Sequence, residues 1–235
     1  MNSIGLKDQQ ITDIQKQTKD DHIRKDDHTR SVMMAILRRM GARMDQQAGC
    51  DPFESLHYVP GIDVLECLRD LKGLIDRSDQ PGRILTLLME WGVLGNHLVP
   101  LLLVLDYKRQ PEALLHTVRL LNMALNNDLV AGPTDHDPMD TLHWQCMSKR
   151  LFSTSLVFGK AMVGLTCVLL QAKDEEFLKA VLFMLRSIAQ IPNGQSSAYG
   201  RQEDLVQIFH DSKLFELFLC ITNQMAVNEF KYLYF

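Results

Sequence analysis

Apolar residues in this chain recur at spacings of three and four, the 3.6-residue period that gathers them on one face of a helix. Met33, Ile36, Met40 and Met44 form the first stripe, with Arg38, Arg39 and Arg43 largely off it. A loop carrying Gly49, Pro52, Pro60 and Gly61 comes next. Ile62, Leu65, Leu68, Leu71 and Ile75 mark a second helix, which stops near Ser78-Asp79. Pro81 suits the first turn of the next helix, over 82–90, because its fixed φ is already helical and its missing N–H is not needed there. Gly92 and Gly95 break that helix before an apolar one over 98–105. Pro111 and Glu112 open a longer helix striped by Leu114, Val118, Leu121 and Leu125, and Asn126-Asn127 and Gly132-Pro133 end it. The same reading predicts helices over 139–150, 153–171 and 174–190, a loop over 192–200, and helices over 202–210 and 212–223. A last one begins near Val227. No segment alternates as a strand between turn signals, so the fold class is all-α.

Two segments of this pattern resemble each other. Met89-Glu90-Trp91-Gly92-Val93-Leu94, followed by Asn96 and the apolar run 98–105, matches Leu205–Asp211 followed by Ser212 and the run 214–221. Each is a short helix, a tight polar break and a strongly apolar helix. A longer helix flanks each of them, and Val118-Arg119-Leu120-Leu121-Asn122 in one looks like Met184-Leu185-Arg186-Ser187-Ile188 in the other. Units of two or three helices recurring at roughly forty residues are the mark of armadillo and HEAT arrays. One unit cannot bury both faces of its helices, so neighbours must stack. The predicted architecture is an armadillo/HEAT-like right-handed helical solenoid over residues 29–235. Residues 1–28 are rich in Asp, Lys, Gln and His and read as a disordered polar tail. Val227-Asn228-Glu229-Phe230-Lys231-Tyr232-Leu233-Tyr234-Phe235 reads as the start of a further unit without a polar cap. A fragment, a short isoform or a truncated gene product is therefore the expectation.

Composition adds little to this picture. The chain is 46% hydrophobic and 23% charged, with a net charge of −4. That is globular, and its charge does not announce a nucleic-acid binder. The five cysteines (Cys50, Cys67, Cys146, Cys167 and Cys220) include no CxxC pair and sit mostly in apolar helical patterns. Reduced thiols in a cytosolic or nuclear protein are expected, not a zinc site. The longest apolar stretch, 156–170, is too short for a membrane span and contains Lys160, so it reads as a core helix. Most of the twelve methionines fall at core spacing.

Candidate chemistry is sparse. His136-Asp137, with His97 or His116 upstream and Asp174 or Asp204 downstream, could supply the imidazole and carboxylate ligands of an HD-type metal phosphohydrolase. The pair lies between Pro133 and Pro138, whereas that motif sits on a helix; Asp137 before Pro138 is more simply a helix cap. His143 and Trp144 read as a helix face or a binding patch, and Ser153-Thr154-Ser155 as a helix start. No P-loop, Rossmann fingerprint or HExxH is present. The chain is thus expected to be no enzyme and to need no cofactor or metal. The basic groups Arg38, Arg39 and Arg43, Lys108 and Arg109, and Lys149, Arg150 and Lys160 are candidate nucleic-acid contacts, since phosphate contact requires only cations on one face.

Glu66-Cys67-Leu68-Arg69-Asp70-Leu71 through Asp76-Arg77-Ser78-Asp79 resembles the opening of the Timeless N-terminal domain. Trp91-Gly92-Val93-Leu94-Gly95-Asn96-His97-Leu98-Val99-Pro100-Leu101-Leu102, Val118–Asn122, Leu185-Arg186-Ser187-Ile188-Ala189-Gln190-Ile191-Pro192 and the segment from Asp204-Leu205 to Leu219 succeed it in the family's order. The resemblance implies a non-enzymatic replication-fork protection scaffold. Such proteins are nuclear, pair with a small Tipin-like partner, sit on the replicative helicase near duplex DNA, and support checkpoint signalling; some relatives are linked to circadian or cohesion roles. The resemblance departs at Asn122-Met123-Ala124-Leu125, where the family has Asn-Leu-Thr, and this chain is far shorter. A generic armadillo-like adaptor in another pathway is the alternative.

Overall fold

The computed structural model describes residues 27–43, 58–126, 138–193 and 199–226, with the side chains of 43, 138–141 and 224–226 left aside. Helix α1 covers 27–40. Two three-residue strands, β1 (Gly41–Arg43) and β2 (Tyr58–Pro60), pair antiparallel after it, with Ala42 opposite Val59. Then come α2 (Val64–Asp76), α3 (Pro81–Glu90), a π-helical turn (Leu94–Leu98) running into α4 (Val99–Val104), and α5 (Pro111–Leu125). The rest is α6 (Pro138–Ser153), α7 (Leu156–Ala172), α8 (Glu175–Gln190), α9 (Gln202–Asp211) and α10 (Leu214–Ala226). The molecule is predominantly helical, as the 3.6-residue period predicts.

The helices pack in a regular order. α5 lies between α2 and α8 and also rests on α3 and α4. A second row runs alongside, α3 against α6 and α6 against α9. The third helices close the units: α4 packs on α5, α7 on α8, and α10 on α7 and α9. Helix n therefore meets helix n+3 in both of these rows and again where α7 meets α10, which groups the helices as α2–α4, α5–α7 and α8–α10. This position explains why α5 is buried well beyond its predicted stripe. Ala113, Thr117, Leu120 and Ala124 are buried along with Leu114, Val118, Leu121 and Leu125, because neighbours stand on several sides.

Local chemistry sets the breaks. Pro81 and Pro111 occupy the first turns of α3 and α5. Ser155 caps α7, its hydroxyl accepting from the Phe158 N–H at 3.0 Å. Asp174 caps α8, accepting from the Phe177 N–H at 3.1 Å, and also accepts from the Tyr107 hydroxyl at 2.9 Å. Ser155→Ala is expected to cost about 1 kcal/mol of stability, the usual value of a cap, measured as a shift in the urea unfolding midpoint.

Several expectations need correction. The short strand pair was not legible as a strand pattern. α1 gives way to β1 at Gly41, whose φ is +141° and where a Cβ would meet the Val59 carbonyl oxygen at 2.5 Å. Ile62 lies outside α2 and is fully exposed; the helix starts at Val64, so Val64, Cys67, Leu68, Leu71 and Ile75 form its buried face. Of the two glycines after α3, only Gly92 breaks the helix, at φ +65°, whereas Gly95 lies inside the π turn. Among the described residues no single helix is long and apolar enough to cross a membrane, and Lys160 is on the exposed side of α7. The predicted tail, Cys50, Met44 and the segment from Val227 onward lie outside the described residues.

Candidate interaction surfaces

Ion pairs mark each junction between successive first helices. Arg39, at the end of α1, reaches Asp63 at 3.2 Å and Glu66 at 3.9 Å, at the start of α2. Arg69 of α2 pairs with Glu112, in the first turn of α5, at 2.7 Å. Arg119 of α5 pairs with Glu176, in the first turn of α8. Asn122 adds a hydrogen bond to the Ala180 carbonyl oxygen at 2.9 Å. Both helices gain because a carboxylate near a helix N-terminus also meets the positive end of the macrodipole. All three pairs are solvent-exposed, where such a pair is worth about 0–1 kcal/mol, so their importance is register more than stability.

The next arginine in this series, Arg186 of α8, is exposed and stands at the rim of a groove of about 530 Å³. The groove runs between α8, α9 and α10 and is lined by Leu182, Leu185, Val206, Phe209, Phe215 and Phe218 among others. Val206, Phe215 and Leu219 are exposed large apolar residues, Leu219 at 64%. Contiguous apolar surface of this kind marks a contact surface in soluble proteins.

A second, more polar groove lies at the opposite end, lined by Met34, Arg38, Trp91, Asn96 and His97. His97 of this groove meets the buried Tyr58, whose hydroxyl is 3.1 Å from His97 Nδ1, with the two rings edge to face. Burial pushes the Tyr58 hydroxyl far above the usual tyrosine range, so it stays protonated.

The predicted basic contacts differ in exposure and in pairing. Arg38 belongs to the groove just described, and Arg109 to a different one with Ile62 and Pro111. Arg39 is neutralised by Asp63, and Arg109 is near Asp106 at 3.7 Å. Lys108, Arg150 and Lys160 are exposed, on the α4–α5 connection, α6 and α7. Arg43 falls in β1, and its side chain is outside the described set. Lys149 does not reach the surface at all. It is 0% exposed, and its ammonium donates to the Ile191 carbonyl at 2.7 Å, Asn193 Oδ1 at 3.1 Å and Gln202 Oε1 at 2.7 Å. Burial pulls its pKa below the usual lysine value. Lys149 is a structural lysine that ties the end of α8 and the start of α9 to α6.

The residues nominated around a metal have other occupations. His136-Asp137 lies outside the described residues. Asp174 is the α8 cap, Asp204 pairs with Arg201 at 3.0 Å, and His97 faces Tyr58. No group of three or more ligating side chains gathers among the described residues. His143 and Trp144 form an aromatic cluster with Tyr199, whose hydroxyl is 2.6 Å from His143 Nδ1.

His116 of α5 is the residue whose titration should matter. Its Nδ1 is buried without a hydrogen-bond partner. Burial lowers its pKa below 6.5, and Arg119, Arg69 and Lys72 push it the same way. The unfolded chain therefore takes up a proton before the folded one does, so stability falls as pH drops below the unfolded value. His116→Leu is expected to flatten that decline between about pH 7 and about pH 5, read from urea midpoints. A variant that keeps the full wild-type slope would show that His116 does not cause it.

The Timeless protein family matches residues 57–234, which span all three helical units. A relative from Aspergillus clavatus, Topoisomerase 1-associated factor 1, is 26% identical over 196 residues. The match covers 72% of this chain but only 17% of that relative, so the chain spans less than a fifth of its length. Together the match across the whole stacked region and the order of its motifs place the chain in the Timeless family.

Proposed function

We propose that this chain is a non-enzymatic replication-fork scaffold, built as an armadillo/HEAT-like right-handed solenoid and acting in the nucleus. The family match over residues 57–234 carries the proposal. The recurring contact of helix n with helix n+3 supports the solenoid reading, because that is how repeat arrays bury their units. Arrays of this kind offer extended surfaces to macromolecules. A Tipin-like protein, replicative helicase subunits and duplex DNA are the proposed partners, with fork protection and checkpoint signalling as the role. Association with a topoisomerase I, in the manner that the Aspergillus relative's name describes, belongs to the same proposal.

Affinity purification of the tagged chain from proliferating cells, read by mass spectrometry against a tag-only control, tests it. A Tipin-like protein or helicase subunits in the eluate is the expected result. A different stable partner with no replisome component would replace the fork reading with a generic adaptor. Duplex DNA binding is expected to fall steeply with salt through the exposed cations Arg38, Lys108, Arg150 and Lys160. No binding at low salt would remove DNA from the partners.

A further inference from the structure

We propose that the apolar groove between α8, α9 and α10 docks a helix of a partner protein, and that this helix carries an acid with apolar residues three places before it and one, four and eight places after it. The seat continues an interface that the chain already uses. α5 rests on α2, α3 and α4 together, and α8 rests on α5 and α7. The groove is walled by α8, α9 and α10, the three helices that correspond to α2, α3 and α4. The seat rests on helix packing alone, so it stands or falls apart from the fork role.

Register fixes the chemistry of the occupant. Counted from the first-turn glutamate of each helix, Glu112 in α5 and Glu176 in α8, the positions of Val118, Asn122 and Leu125 are those of Leu182, Arg186 and Ala189. On α5 this face meets α8: Asn122 bonds the Ala180 carbonyl oxygen, and Val118 and Leu125, four and three places away, are buried. On α8 the same three positions line the groove, with Arg186 exposed and unpaired among the described residues. By the same count Arg119, which meets Glu176, is replaced by Phe183, 37% exposed. The cation of this seat therefore stands one turn later than in the α5–α8 junction. An occupant in the register that α8 takes on α5 brings to Arg186 the residue in the place of Ala180, and an acid there completes the pair. The positions three before Ala180 and one, four and eight after it are Phe177, Val181, Met184 and Ile188, all buried, as are their counterparts in α5. They form one helix stripe, which the occupant must match in apolar character.

A second copy of this chain has no such stripe to offer. Among the described residues, the large apolar side chains left exposed stand singly on their helices, except Phe215 and Leu219 of α10. Phe215 already lines the groove, so α10 is its wall and not its occupant. A partner's amphipathic helix supplies both the stripe that covers Val206 and Phe215 and the charge that complements Arg186.

Selection from a displayed library of random peptides of 16 residues, the length of α8, on the intact chain tests this. The Val206→Glu chain, changed at an exposed position of the groove wall, is the counter-target. Peptides held by the wild type and not by Val206→Glu are expected to share an acid with apolar residues three places before it and one, four and eight after it. For one such peptide, Arg186→Glu should weaken binding about fivefold, and an arginine in place of the peptide's acid should restore it. Selected peptides without that spacing, equal retention by the Val206→Glu chain, or an affinity unmoved by Arg186→Glu would overturn the proposal. Dimerisation of the chain in sedimentation that Val206→Glu abolishes would overturn it by making the occupant a second copy. A selection that retains nothing would overturn it as well, because the seat would then admit no helix from outside.

Discussion

Lys149→Met is expected to lower the unfolding free energy by about 2–4 kcal/mol, among the largest effects of any single substitution in this chain. An ammonium has three N–H donors and no acceptor, and Lys149 finds three oxygens, on Ile191, Asn193 and Gln202. Methionine keeps most of the stem packing but leaves the buried Ile191 carbonyl and Gln202 Oε1 without this donor, while Asn193 Oδ1 still accepts from the Gln202 N–H at 2.8 Å. A buried polar atom left unpaired costs more than its hydrogen bond contributes on balance. The three acceptors come from the end of α8, the connection after it and α9, so the loss should also loosen the joint between these elements and α6. Lys160→Met serves as control: Lys160 is exposed, and surface substitutions usually stay within about 0.5 kcal/mol. Chemical denaturation of both variants decides the matter. Equal midpoints would mean that the Lys149 ammonium is worth no more than a solvated one.

Lys149 also shows what was legible in the sequence and what was not. Read as part of a Lys149-Arg150 pair, it looks like surface charge. Read by helical position it falls on the face of Cys146 and Phe152, three residues away on either side, both buried. The information was present in the register, but a lysine on a core face has no fixed meaning until its acceptors are known, and these lie more than forty residues away. In α1 the apolar spacing named Met33, Ile36 and Met40, all buried, and missed Leu37 beside them. Where a helix is surrounded, as α5 is, spacing named only the middle of the buried face. The β1–β2 pair escaped because three residues are too few to show an alternation. Gly92 and Gly95 look alike in sequence, and only backbone geometry separates the one that turns the chain from the one inside a helical turn.

The helices were legible in outline, but not the contacts between them. The likeness of the segments around Arg119 and Arg186 was visible as a pattern of an arginine among apolar positions. Its physical content is a set of contacts between units. Arg119 reaches across to the next unit's Glu176, and Asn122, four positions from Val118, bonds to Ala180 of the same helix. A motif that resembles a family's signature can thus be a clamp between units, and its presence argues for a stack without naming any partner. The same logic removes two of the nominated cations from the free surface. Arg39 is taken up in holding helices together, Lys149 is buried, and the exposed cations stand on several different elements.

Leu121→Ala should destabilise by about 2–5 kcal/mol, the range for emptying a leucine from a packed core. Leu121 is fully buried in α5, the helix that stands between α2 and α8. In a stacked array each unit depends on its interfaces with its neighbours, so a cavity in the shared helix weakens both sides at once. Hydrogen exchange can resolve this where a melting curve cannot. Amides of α2 and of α8 should both lose protection in the variant, although neither helix is mutated. Leu219→Ala, in α10 and mostly exposed, should change neither by a comparable amount. If protection fell in α2 alone, or in α8 alone, α5 would be packing on one neighbour and merely touching the other, and the three units would not form one cooperative stack. Loss on both sides would mean that α5 transmits stability along the row, which is what a scaffold needs if a partner bound at one end is to be held in a fixed relation to a partner at the other.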